Sequence, residues 1–155
     1  MRQQTQLKKH IQAYLNEAKM MQLASVGDNG RPWACSVWFA HRLRSKYLLA
    51  FGYFTSSLHR TCANPHVSAA ICLSQSPKDN ARGLQIEGSA VALTKPAKIA
   101  HAMQHYAGRI FTRKQVEDFM AHPDRPHSFY RPTPEALVLF DTVNYPSDPR
   151  QEYRP

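Results

Sequence analysis

The run Arg82-Gly83-Leu84-Gln85-Ile86-Glu87-Gly88-Ser89-Ala90-Val91-Ala92-Leu93 constrains the fold more than any other part of the chain. Apolar Leu84 and Ile86 alternate with polar Gln85 and Glu87, the period of a strand with one solvated face, and the second half turns apolar. The expectation is a long strand, half-solvated at one end and buried at the other, of the kind found in a barrel or sandwich. Gly83 and Gly88 inside it mark a bulge, a bend or a close approach by a ligand or another backbone. Gln85 lies between them on the polar face. Its amide can pair with another planar polar group there, and an exposed glutamine without a role fits the same pattern.

A chain of 155 residues with 43% hydrophobic content is read as one domain over 1–155, ending in a proline-containing tail over about 146–155. Cys35, Cys62 and Cys72 are odd in number, lack Cys-x-x-Cys spacing and sit among apolar residues. They are expected to be reduced, mostly buried thiols. No apolar run reaches membrane-spanning length and Met1–Gln6 lacks the apolar block of a secretion signal, so the expected compartment is the cytoplasm, without a membrane partner. The formal charge of +9 favours phosphate-bearing partners. Its cations are dispersed as Lys8-Lys9, Arg42-Arg44-Lys46, Arg109-Arg113-Lys114 and Arg125-Arg131, with no dense stripe and interleaved aromatics. That disfavours nucleic acid and leaves a phosphorylated small molecule able to use the same field.

Leu7, Ile11, Leu15 and Ala18 space an amphipathic helix. Met21–Val26 reads as a strand, Asn29-Gly30 as a hairpin turn, and Pro32–Ala40 as the returning strand. That strand puts Trp33, Cys35, Val37 and Phe39 on one face and Ala34, Ser36, Trp38 and Ala40 on the other, which can admit a flat ligand or pack as a wall. Tyr47–Phe51 follows as a strand, and a short helix through Leu58–Ala63 is capped by Ser56 or Ser57. Free amides, hydroxyls, His59 and Arg60 converge in that one turn, as a phosphate cradle or as ordinary capping. His66–Leu73 is a further strand. A helix from Pro96 carries Ile99, Met103, Tyr106 and Ile110, and Thr112 with Gln115 forms a capping box for the next. Pro123–Pro134 reads as a loop, and Glu135–Tyr145 as the last strand. The count is about six strands with two or three helices, as in a small antiparallel barrel.

Known catalytic patterns are weak. His101 and His105 stand four apart on a predicted helix, but the intervening residues lack the glutamate of His-Glu-x-x-His and no third ligand is placed by spacing, so no metal site is assigned. No cysteine has an evident base, and Glu87 and Asp141 have no paired carboxylate.

Taken together, Leu23-Ala24-Ser25, Gly30-Arg31-Pro32-Trp33, Ser36-Val37-Trp38-Phe39, Asn64-Pro65-His66-Val67, Gly83–Gly88 and Asp141–Tyr145 occur in an order that resembles the pyridoxamine 5'-phosphate oxidase-like proteins, from about Leu7 to Tyr145. The resemblance implies a mainly β fold with flanking helices, an FMN-binding split barrel that is antiparallel, six-stranded and Greek-key-like. It further implies a homodimer with FMN at each inter-subunit cleft. Ser36, Val37 and Trp38 would line the flavin ring through the strand backbone. Thr55, Ser56, Ser57, His59 and Arg60 would lie near the phosphate, and Gln85 would address the polar edge of the ring. Lys78 and Arg82 would stand at the cleft rim, and Asn144-Tyr145 would complete the site across the dimer. The implied activity is FMN-dependent oxidoreduction by hydride transfer through flavin N5, with a small-molecule substrate or NAD(P)H as reaction partner and no assigned catalytic acid or base. The alternative is a non-enzymatic flavin- or heme-binding protein, since some relatives bind deazaflavin or heme, His59 and His66 raise the heme question, and Pro149–Arg154 does not reproduce the arginine-rich substrate motif of true pyridoxamine-phosphate oxidases.

Overall fold

A computed structural model of the protein describes residues 2–42, 47–52, 64–73, 76–122 and 128–155. The elements run α1 (Arg2–Glu17), β1 (Met20–Val26), β2 (Pro32–Arg42), β3 (Tyr47–Gly52), β4 (His66–Cys72), β5 (Arg82–Leu93), α2 (Pro96–Tyr106), α3 (Arg113–Ala121), β6 (Ser128–Asp141) and β7 (Arg150–Tyr153). No helix among the described residues is long and apolar enough to cross a membrane.

Alternation decides which side of each strand is covered. Met21 and Leu23 on β1, Val37 and Phe39 on β2, Val67 and Ile71 on β4, and Leu84 and Ile86 on β5 all point into one core. Helix α1 lays Leu7, Ile11, Tyr14 and Leu15 against them, each nearly devoid of solvent exposure. Fully burying side chains of this size contributes roughly 1.5–3 kcal/mol apiece, so this one helix face accounts for much of what holds the sheet to its cover. A second cluster, formed by Ala40, Met103, Tyr106 and Phe129, seats α2 against the other end of β2. Helix α3 contributes Val116 and Phe119 to its margin and begins with the expected capping box, in which the Gln115 amide donates to Thr112 Oγ1 at 3.2 Å and the Thr112 amide to Gln115 Oε1 at 2.8 Å. Gly30 takes the positive φ of 73° that the β1–β2 hairpin requires.

The expected six-stranded, Greek-key-like split barrel is corrected. The strands form one seven-stranded antiparallel sheet in the order β3-β2-β1-β4-β5-β6-β7, and β3 also meets β6 through the three pairs Ala50 to Tyr130, Phe51 to Phe129 and Gly52 to Ser128. The seventh strand comes from the tail. Arg150–Tyr153 pairs with Phe140–Leu137, and β7 is paired on one side only, so the sheet has an edge. A four-residue run whose one apolar-bodied residue is Tyr153 shows no apolar alternation, which is why its sequence does not announce a strand.

Two further boundaries move, and one burial expectation fails. β6 begins at Ser128, inside the expected proline loop. Between the β3 contact at its start and the β7 contact beginning at Leu137, β6 is paired with β5 alone, the edge-like setting in which Pro132 and Pro134 are tolerated. β6 ends at Asp141 rather than Tyr145, because the Asp141 carboxylate accepts the Val143 and Asn144 amides at 2.9 and 3.0 Å and turns the chain. The far half of β5 is not buried as a block. Val91 is 46% exposed, and after buried Ala90 the strand runs out through exposed Val91 and Ala92 to half-buried Leu93. Cys72 is likewise exposed, and Cys35 half-buried, both as free thiols; Cys62 and the expected helix over 58–63 lie outside the described residues.

Gly88 is the close-approach position and Gly83 is not. The β5–β6 register shifts between Glu87 and Gly88, and a Cβ on Gly88 would lie 2.2 Å from the Thr133 carbonyl oxygen, a backbone atom that has no rotamer to yield. The nearest atom to a Cβ on Gly83 is 3.7 Å away. Gly88→Ala is expected to destabilise the protein by about 1–3 kcal/mol, the usual cost of overpacking, with Gly83→Ala close to neutral, as read by urea unfolding.

Asp141 carries the clearest pH dependence. It is 1% exposed. Burial alone would raise its pKa, but the Asn144 side chain donating at 2.6 Å, the two backbone amides and the Arg82 guanidinium together hold it below the ordinary carboxylate value. A depressed folded pKa gives stability that is present above the unfolded value of about 3.9 and is lost as pH falls through the folded pKa. Acid unfolding of Asp141→Asn is therefore expected to be flatter than that of the parent below about pH 4, the range in which the unfolded chain protonates first.

Candidate functional site

The face of the sheet opposite α1 carries the candidate site. Strand register places Ser36, Gln22, Ala70, Gln85 and Val138 in one row across β2, β1, β4, β5 and β6. Ser36, Gln22, Ala70 and Gln85 are all exposed. From Ser36 to Gln85 is three strand spacings, roughly 14 Å along the sheet. The row is flat, because its side chains are small or slender, and Gln22 and Gln85 give it amides that can donate and accept in one plane. Trp38 stands on the same face two residues from Ser36, opposite Met20. Such a surface suits a flat group with a polar edge.

A groove of about 410 Å³ opens beside this row, with Ala24, His66, Ser68, Glu87 and Glu135 among its lining residues. Glu87 is two positions from Gln85 on β5, and Ser68 is its partner on β4. The groove thus carries two carboxylates and one imidazole at the margin of an otherwise uncharged row.

The sequence-predicted residues divide by strand parity. Ser36, Trp38 and Gln85 share the exposed face, while Val37 points into the core and can offer only its backbone there. Arg82 points to the α1 side. Its Nε lies 4.0 Å from Asp141 Oδ2, and its guanidinium stands 5.4 Å from the centre of the Tyr14 ring. Asn144 donates to Asp141, and the Tyr145 hydroxyl lies 3.0 Å from His10 Nδ1 on α1. Within one chain, Asn144 and Tyr145 therefore belong to the end of β6 and its contact with α1, away from Gln85. Lys78 is exposed in the loop before β5. Thr55, Ser56, Ser57, His59 and Arg60 lie outside the described residues. Gln22 and Ala70 escape a reading made strand by strand, since only the register brings them between Ser36 and Gln85.

Behind Trp38 the support is polar. The Tyr106 hydroxyl donates to the Trp38 carbonyl at 3.4 Å. Arg109 donates to the carbonyls of Leu15, Asn16 and Ala18, closing the C-terminal end of α1 as a cation should, and stands 5.6 Å from the centre of the Phe39 ring. Burial first, and the Arg109 charge second, push the His41 imidazole down to about 4. His41 is thus neutral near pH 7 and adds no second cation to the cluster. Among the described residues, no group of three or more His, Cys, Asp or Glu side chains is gathered to hold a metal ion.

Comparison with known proteins follows the same lines. The HutZ heme storage protein of Vibrio cholerae is similar in structure at 18% identity, with a TM-score of 0.71, 87% of this chain covered and 96% of that one. A Clostridium acetobutylicum protein related to general stress protein 26 of B. subtilis, of the pyridoxinephosphate oxidase family, is 12% identical with a TM-score of 0.68, covering 94% and 92% of the two chains. An FAD-binding protein from Mesorhizobium loti is 20% identical with a TM-score of 0.59, covering 81% and 88%. At these identities the likeness is one of fold. No curated protein matches the sequence. The sequence pattern described as pyridoxamine 5'-phosphate oxidase, however, matches residues 7–138, most of the chain and every strand from β1 to β5. The protein belongs to the pyridoxamine 5'-phosphate oxidase family.

Proposed function

We propose that this protein holds a planar redox cofactor, a flavin or a heme, on the exposed face of its sheet, and that holding it is its primary role. The observation that carries the reading is the row Ser36–Gln22–Ala70–Gln85, a flat exposed platform with amide groups and Trp38 at its flank. Among structurally similar proteins, one is a heme storage protein and another an FAD-binding protein, which supports binding across the fold.

For a flavin, FMN by family membership, the Gln85 amide fits the polar ring edge and Ser36 with Trp38 fits the ring plane. Glu87 and Glu135 repel an anionic group, so a phosphate would be directed away from the groove, and Thr55, Ser56, Ser57, His59 and Arg60 are the proposed recipients. Bound FMN would supply hydride transfer at N5, and oxidoreductase turnover is the second reading, favoured by family membership. For a heme, the exposed His66 on the same face is the available imidazole. Two copies meeting across this face would cover Met20, Trp38, Val91 and Phe140, which are 41%, 38%, 46% and 40% exposed, and we propose the homodimer, with its cofactor sites between subunits, on that ground. Free thiols at Cys35 and Cys72 accord with a cytoplasmic location.

Absorption spectra of the purified protein, and of protein reconstituted separately with FMN and with heme and passed through gel filtration, test the reading. Retention of one cofactor per chain is expected, with the spectrum naming it; loss of both during filtration would sink the proposal. Gln85→Ala is expected to weaken FMN binding roughly two- to tenfold, the range of one hydrogen bond, and to shift the flavin spectrum. An unchanged affinity and spectrum would remove Gln85 from the site.

A further inference from the structure

We propose that Tyr106 is a positioning residue for Trp38, and through Trp38 for the cofactor ring on the exposed face. Along β2 the residues of that face pass from exposed Ser36, through Trp38 at 38% exposure, to Ala40, which is wholly covered in the cluster that α2 forms. Trp38 is thus the last open position before the helix, and Tyr106 is the α2 residue bonded to it there. The step from Tyr106 to Trp38 stands on its own; the step from Trp38 to a cofactor rests on the function proposed above.

Both ends of Tyr106 are fixed. Its carbonyl accepts the amides of Arg109, Ile110 and Phe111 at 3.1, 2.9 and 3.1 Å, which closes the turn after α2. Its hydroxyl donates to the Trp38 carbonyl at 3.4 Å, and the Ala40 backbone is hydrogen-bonded to the same oxygen, so one phenol holds the residues on either side of Phe39. Phe39 is itself anchored: its ring is buried in the main core and its amide donates to the Lys19 carbonyl at 3.1 Å. The Tyr106 ring has no solvent exposure, and burial raises the pKa of its phenol, which therefore stays protonated and able to donate. Phenylalanine would fill the same space, so the hydroxyl adds something packing does not require. A strand side chain stands roughly perpendicular to its sheet, so a carbonyl held from outside the ladder sets the direction in which the Trp38 ring leaves the face.

The test uses protein carrying Trp33→Phe, in which Trp38 is the one remaining tryptophan. Tyr106→Phe in that background removes the hydroxyl and keeps the ring. With no cofactor added, it is expected to shift the Trp38 emission maximum and to increase acrylamide quenching of Trp38. FMN affinity, measured on the same two proteins, is expected to fall roughly two- to tenfold, the reach of one hydrogen bond. Phe119→Leu thins the same cluster where the Phe119 and Phe129 rings meet, with centres 5.5 Å apart. It is expected to lower the urea midpoint and to leave the Trp38 signals as they are in the parent. Unchanged Trp38 emission and quenching in Tyr106→Phe, or the same change in Phe119→Leu, would overturn the positioning role. A displaced Trp38 with unchanged FMN affinity would overturn its extension to the cofactor. Loss of both FMN and heme by the parent sinks the cofactor reading alone, because the Trp38 signals are read without either.

Discussion

The Tyr14 hydroxyl is the joint on which the sheet and its cover depend. It lies 3.0 Å from the Arg82 carbonyl and 3.3 Å from that of Ile71, and it accepts the Leu73 amide at 3.1 Å. One side chain of α1 thereby holds the end of β4 and the start of β5 in a single hydrogen-bonded knot. Burial raises its pKa, which keeps the phenol protonated and able to donate at neutral pH. Arg82 stacks over the same ring and reaches toward Asp141, so the knot extends to the end of β6. Three consecutive strands, including the one that carries Gln85, are referenced to one helix face in this way.

That arrangement explains what was legible in the residues beforehand. Leu7, Ile11 and Leu15 announce a covering helix and the alternation around Gln85 announces an exposed strand face, because each is a local pattern of apolar spacing. The Thr112–Gln115 capping box is legible for the same reason. Tyr14 is not, since its partners are 57 to 68 positions away and a buried hydroxyl gives no periodic signal. β7 is invisible for a related reason: its three polar residues and Tyr153 become a strand only because β6 offers them an edge. The early start of β6 is hidden by Pro132 and Pro134, which signal a loop unless one knows that one flank of the strand is unpaired there.

The geometry of the candidate face was legible in part. Ser36, Trp38 and Gln85 share a face that strand parity alone predicts. Arg82 shares the strand of Gln85 but differs from it by an odd number of positions, which sends its side chain to the other face. Asn144 and Tyr145 follow an aspartate whose carboxylate captures the next two amides, and that capture replaces extended chain by a turn. Gln22 joins the row through register, a property of pairs of strands that neither strand contains.

The short β7 has a consequence for self-assembly. A sheet with an open edge is a template for further strands, and copies adding there would polymerise. β7 is only four residues long, and Arg150, Glu152 and Arg154 crowd it with charge, Glu152 being held between the two arginines at 3.8 and 2.8 Å. An incoming backbone would have to displace these ion pairs to gain few hydrogen bonds. The charged, short tail strand therefore blunts the sheet's rim against lateral growth.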